Sequence, residues 1–181
     1  MNLKELYSLR TFSFVLIFIL SSSFTIHNHI QILKRVKKEI SKSFSIDDFL
    51  LIPVIIENEP DLTVDFSKDR FFKIISKDLL LGYAYVGTAP SKTETFEYLV
   101  LFNNEFIIKK SKVLIYREDW GSEIGSTRWL RQFNNKSIQD KFIYRENISA
   151  ISGATISVKS MTNAINQLLS SLNLLIDKKI L

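Results

Sequence analysis

Residues 71–117 read FFKIISKDLLLGYAYVGTAPSKTETFEYLVLFNNEFIIKKSKVLIYR. Within them, residues 71–76, 80–88, 96–103 and 106–117 are short runs rich in aromatic and β-branched side chains. Such side chains favour the pleated surface of a sheet. Turn-forming stretches separate the runs: Lys77-Asp78, Ala89-Pro90-Ser91 and Asn103-Asn104. Four strands with links this short predict an antiparallel meander, because parallel neighbours need a long crossover. Asn103-Asn104 before Glu105 predicts a tight hairpin, since asparagine tolerates the left-handed backbone of such turns.

Downstream, the polar, glycine-bearing segment 118–127 leads into an aromatic and apolar stretch, 129–133, that predicts a short helix. Val158, Met161, Ile165, Leu168, Leu172 and Leu175 then step by three and four, which puts them on one face of a C-terminal helix. Asn163, Asn166, Ser170 and Asn173 fall largely elsewhere. Upstream, Ile30, Leu33, Val36 and Ile40, with lysines between them, predict an amphipathic helix over 29–50. Residues 51–70, with Pro53 and Pro60, predict a connector or irregular strand. The fold class is α+β: an antiparallel β-sheet packed by helices, with an amphipathic C-terminal helix closing the core.

The formal net charge is +5, but the basic residues are scattered, apart from a cluster at Lys34, Arg35, Lys37 and Lys38. No aromatic-plus-basic reading motif accompanies them, so nucleic acid is not an expected partner. Anionic lipid or an acidic redox partner suits the cluster better. There is no cysteine, which excludes disulfides and thiolate metal sites. His27 and His29 are the only histidines, too few for a histidine-rich metal or haem site.

Residues 1–10 contain Lys4 and Arg10, residues 12–20 read FSFVLIFIL, and Ser21, Ser22 and Ser23 follow. A basic start, an apolar run and a small-residue tail form the layout of a secretory signal peptide. A spanning helix needs about twenty apolar residues, and this run extends to about fifteen, so an uncleaved anchor is the second reading. The expected organisation is a signal peptide or N-terminal membrane anchor at 1–26, a helical and irregular lead-in at 27–70, and a cofactor-bearing domain at 71–181. Either of these two readings places the remainder outside the cytoplasm, in the periplasm; the third reading of the run is a buried core helix.

The chemistry concentrates in Ile151-Ser152-Gly153-Ala154-Thr155-Ile156-Ser157, directly before the C-terminal helix. Gly153 and Ala154 let another molecule approach the backbone. Ser152, Thr155 and Ser157 supply hydroxyls. A helix start presents unpaired N–H groups and the positive end of its dipole, which suits a phosphate. The same pattern is also that of an ordinary helix cap, with Thr155 or Ser157 accepting a backbone hydrogen bond.

This segment resembles the flavinylation motif of the FMN-binding domain family. That family includes flavin-carrying subunits of the sodium-pumping NADH:quinone reductase and of the Rnf electron-transfer complex. Ser152, Gly153, Ala154, Thr155 and Ser157 match the motif, and the threonine esterified to the FMN phosphate falls on Thr155. The leading Asp of the motif falls on Ser149, a departure. Residues 118–125 resemble the family's Glu-x-x-Gly loop through Glu118 and Gly121, with Asp119-Trp120 in place of its Thr-Pro. Trp129 and Phe133 stand where the family has a Trp and a Phe, and residues 82–87 resemble its Gly-Tyr strand. Read without the family, the loop is a surface turn carrying a Glu123–Arg128 pair.

The resemblance implies FMN joined covalently to Thr155 by a separate flavin transferase, with Glu118, Gly121 and Trp129 near it. Tyr83, Tyr85 or Trp120 would be free to stack on its ring. The implied function is an extracytoplasmic electron-transfer flavoprotein, a redox carrier or subunit without substrate turnover of its own, facing a membrane-associated redox partner. No catalytic group or metal is implied. The alternatives are a module binding FMN non-covalently and a secreted structural or interaction domain without cofactor.

Overall fold

The computed structural model describes residues 29–56, 59–67 and 69–181. The expected signal peptide or anchor at 1–26 lies outside them, as does His27. No helix among the described residues is long and apolar enough to cross a membrane. The chain forms two compact units, Met1–Glu39 and Ile40–Leu181. Residues 29–39 of the first are helical, and this helix, α1, ends at residue 44 within the second. It stops short of the expected residue 50 because Ser45 turns to a left-handed φ of 56°. The Ile46 amide then donates back to the Ser41 carbonyl at 3.1 Å, the six-to-one bond that closes a helix end.

The second unit is built on five antiparallel strands in sequential order: β1 (Leu50–Pro53), β2 (Phe71–Ser76), β3 (Leu79–Pro90), β4 (Thr95–Asn103) and β5 (Ile108–Ile115). The four expected strands are present. The region expected as connector or irregular strand holds a fifth, β1, paired to β2 at the sheet edge. Pro53 ends it, at a position where a missing N–H does not interrupt the sheet interior. The Asn103-Asn104 hairpin is wider than a two-residue turn. Asn103 Oδ1 accepts from the amides of Glu105 and Ile107, and Phe106 takes the left-handed φ of 58°.

Both faces of the sheet are buried, which is why β4 reads as a nearly unbroken apolar run. Phe96, Tyr98, Val100 and Phe102 join one core with Tyr83 and Tyr85, while Leu99 and Leu101 are buried on the opposite side. Helix α2 (Thr127–Leu130) and the 3-10 turn Arg131–Phe133 occupy the expected short helix. Helix α3 (Thr155–Asp177) brings Val158, Met161, Ile165, Leu168, Leu172 and Leu175 into the first core. All six anticipated face residues are inside. Thr63 of the connector bonds to the Gln167 carbonyl and the Ser171 hydroxyl, tying that stretch to α3. Leu168→Ala, in the middle of the buried face, is expected to cost about 2–5 kcal/mol in urea unfolding, from lost transfer free energy and the cavity left behind.

Candidate functional site

The segment before α3 is a tight turn. The Ala154 amide donates to the Ile151 carbonyl at 3.2 Å, and Gly153 sits at φ +78°. Ser152 is exposed in this turn. A Cβ on Gly153 would meet nothing within 4 Å, so the backbone is open to approach from that side. Ala154 occupies the N-cap position, and no side chain caps the helix. The first intrahelical bond runs from the Val158 amide to the Ala154 carbonyl. The amides of Thr155, Ile156 and Ser157 therefore have no acceptor in the helix. The cap reading is corrected: neither Thr155 nor Ser157 caps α3.

The three expected hydroxyls have different surroundings. Thr155 is exposed, and its hydroxyl makes no hydrogen bond among the described residues. Ser157 is only 3% exposed, and its Oγ lies 3.0 Å from the Tyr116 hydroxyl. Tyr116 donates its proton to the Trp120 carbonyl at 3.2 Å. With that proton committed, the Ser157 hydroxyl is the donor to Tyr116. This chain ties the first turn of α3 to the segment after β5 and to the following loop.

Gly121 brings that loop against the motif. It has φ +80°, and an added Cβ would lie 2.8 Å from the Ala154 Cβ and 3.2 Å from the Tyr116 hydroxyl. The backbone conformation and the space both require glycine here. Ala154 is 3% exposed. Its small size serves this packing, and only Gly153 leaves the backbone open. A 3-10 turn, Ser122–Gly125, follows.

Glu118 holds the opposite wall. Its carboxylate accepts from the Ser91 hydroxyl, the Thr93 amide and hydroxyl, and the Glu94 amide at 2.6–3.2 Å. The Ser91 hydroxyl and these further donors hold its pKa down at about 2, against an ordinary value of 4.5. A carboxyl depressed in this way supports the fold above pH 4.5, and the support fades as pH falls through about 2. Glu118→Gln is therefore expected to flatten the acid limb of the stability curve in that window, as read from urea midpoints at successive pH values.

Together these elements enclose a cleft of about 400 Å³, lined by Lys92, Tyr116, Glu118, Trp120 and residues 153–157. Trp120 is 83% exposed and Ile156 52% exposed, so two large apolar groups stand at the rim beside the Thr155 hydroxyl. Glu118, Gly121 and the Ser-Gly-Ala-Thr segment are thus brought together. Trp129 is not part of this cleft. It is buried, meets Phe133 edge-on at 5.3 Å, and donates Nε1–H to the Ser149 carbonyl at 2.8 Å. Gln132 Oε1 accepts from the Ser149 amide at 2.7 Å, so the residue at the motif's leading position has both backbone groups held.

Tyr83 and Tyr85 lie in the core. Tyr83 stacks between Phe71 and Phe106, and Tyr85 meets Phe66. Glu123 and Arg128 are both exposed and form no ion pair with each other. Tyr116, Lys92 and Ile156 were not anticipated as lining residues. No group of His, Cys, Asp and Glu among the described residues could hold a metal ion.

The unpartnered threonine hydroxyl, the open backbone at Gly153, three free amides and an apolar rim fit a ligand with a phosphate and a planar apolar ring. Residues 92–170 match the family model described as FMN-binding domain. The match begins in the turn bound by Glu118 and ends within α3. No curated protein matches the chain.

Proposed function

On the premise that residues 92–170 are an FMN-binding domain, we propose that FMN is held here through a phosphoester to Thr155 Oγ1. The observation that carries this reading is the exposed, unpartnered Thr155 hydroxyl at the uncapped start of α3, beside the 400 Å³ cleft. The free amides and the positive end of the helix dipole favour the phosphate at that point. Lys92 adds a cationic group to the wall. Trp120 and Ile156 supply apolar surface at the rim for the ring. Bound FMN supplies one- and two-electron transfer, and the protein sets its position and surroundings. The uncapped helix favours this reading over a structural domain in which the motif is only a cap.

A flavin transferase makes the bond. The protein acts as an electron carrier outside the cytoplasmic membrane, with a membrane-associated redox partner. The basic, apolar and small-residue order of residues 1–23 motivates the location. A covalent link there keeps a small cofactor from diffusing away.

The deciding experiment expresses the exported chain with a flavin transferase and examines it by denaturing gel and mass spectrometry. The expected result is flavin fluorescence on the gel and a mass increase of FMN less one water. A yellow protein that loses its flavin on denaturation overturns the covalent bond and leaves the non-covalent module. Location is tested by alkaline phosphatase fused after residue 50. An active fusion is expected; an inactive one, with a cytoplasmic reporter active instead, overturns export.

A further inference from the structure

Between Ile148, 1% exposed, and Ala154, 3% exposed, the chain crosses the surface. Ser149, Ala150, Ser152 and Gly153 are exposed, and only Ile151 packs partly against the core. A stretch with so little burial ordinarily opens easily. Two side chains hold this one. Trp129 Nε1–H donates to the Ser149 carbonyl at 2.8 Å, and Gln132 Oε1 accepts from the Ser149 amide at 2.7 Å. Among the described residues, no other side chain bonds to the backbone of residues 149–153. Gln132 is itself fixed, because its Nε2–H donates to the Trp129 carbonyl at 2.8 Å. These two bonds settle which end of its amide is oxygen.

We propose that Gln132 is a positioning residue for cofactor attachment: by fixing Ser149 it keeps residues 149–154 in the conformation that presents the Thr155 hydroxyl. This role rests on the phosphoester proposed above. From Ser149 the chain runs into the turn closed by the Ala154 amide and the Ile151 carbonyl, and Thr155 follows directly. Gln132 does not line the flavin cleft. It lines a different groove, of about 460 Å³, together with Trp129, Ser149 and Ile151. Its effect is therefore on the order of the segment and not on the bond made there. A stretch ordered in advance spares the transferase the entropy of ordering it on binding.

Forming an ester from free FMN in water is uphill, so the donor is a phosphoanhydride of FMN, such as FAD. The bond from Thr155 Oγ1 to phosphorus forms and the anhydride P–O bond breaks. AMP departs with the electron pair of that bond, and the hydroxyl proton passes to a base of the transferase and on to solvent. The rate depends on how well Oγ1 is held in line with the phosphorus.

The test compares the exported chain as wild type, Gln132→Met and Gln132→Glu. Methionine has nearly the length of glutamine but no acceptor for the Ser149 amide. Glutamate keeps that acceptor and gives up only the bond to the Trp129 carbonyl. In the unmodified chains, amide exchange is followed residue by residue. Each chain is then given the transferase and FAD, and the rate of mass gain is read. Gln132→Met should exchange faster at Ser149 and Ala154 and take the flavin about two- to tenfold more slowly, the effect of one lost hydrogen bond. Gln132→Glu should stay close to wild type in both measurements. A general loss of stability would instead speed exchange across the whole sheet. Equal attachment rates in wild type and Gln132→Met, or an equal loss in both variants, overturns the positioning role. So does exchange at Ser149 that methionine leaves unchanged. A wild type that gains no mass on Thr155 is a different failure: it overturns the phosphoester, and the role of Gln132 with it, whatever the exchange rates.

Discussion

On the proposed attachment, Thr155→Val is expected to carry no covalent flavin and to keep its fold. Valine has nearly the shape of threonine but no hydroxyl, so the ester has no acceptor oxygen. The substitution is structurally mild for three reasons. Thr155 is exposed, its hydroxyl bonds to nothing among the described residues, and the N-cap is Ala154. No cap is lost, and the difference in helix propensity is a few tenths of a kcal/mol at most. The expected stability change is below about 1 kcal/mol, small against the several kcal/mol of a typical domain. Mass spectrometry of the purified variant should show the unmodified chain, and circular dichroism an unchanged spectrum. A variant that still carries the added mass of FMN less one water would place the ester on another residue. Thr155→Ser keeps a hydroxyl at the same backbone position and should retain part of the modification.

The second large effect is expected at Gly121, 34 residues away in sequence and in contact with Ala154. Gly121→Val puts a β-branched residue at φ +80° and drives its Cβ against Ala154 and Tyr116. Backbone strain of this kind costs about 1–3 kcal/mol. Overpacking adds about 1–3 kcal/mol. A total loss of about 2–6 kcal/mol in urea unfolding is expected, with the smaller share of flavinylated protein that a displaced turn produces. Gly121→Ala separates the two contributions. It keeps the 2.8 Å collision with the Ala154 Cβ, which Ala154→Gly removes. The double variant should regain the collision part and not the strain, so the two substitutions are expected not to add. Strict additivity would mean that the loop and the motif do not press on one another.

The legible parts of this fold are those whose burial leaves a periodic trace. Helix α3 shows its apolar face at helical spacing, and β2 to β5 show aromatic and β-branched runs between turn residues. Strand β1 hides because it is four residues long, ends in Pro53 and pairs on one side only. The early end of α1 depends on one positive φ at Ser45, a residue type that seldom signals it. At the site, the Ser-Gly-Ala-Thr segment and the Glu-x-x-Gly loop were legible through family resemblance, and they meet as a pair. What each side chain does was not legible. Ser157 looks like a third hydroxyl for a ligand but is held by Tyr116, forty-one residues earlier. Glu118 looks like a ligand contact but is saturated by donors at residues 91–94. Such roles depend on long-range pairings that no local pattern records. Trp129 is legible as an aromatic landmark, and its indole N–H supports the approach to the motif from behind.

The two-sided burial of β4 has a bearing on the unfolded chain. Residues 96–102 read FEYLVLF, with Glu97 their only charge and no proline or glycine. In the folded sheet both faces of this stretch are inside. Before the flanking strands pair, it is a seven-residue segment of high β propensity and low charge, the kind that stacks into intermolecular sheets. The same side chains that make the centre of the sheet therefore make delayed folding hazardous. A chain held unfolded at high concentration, as in refolding from inclusion bodies, will aggregate through this segment first.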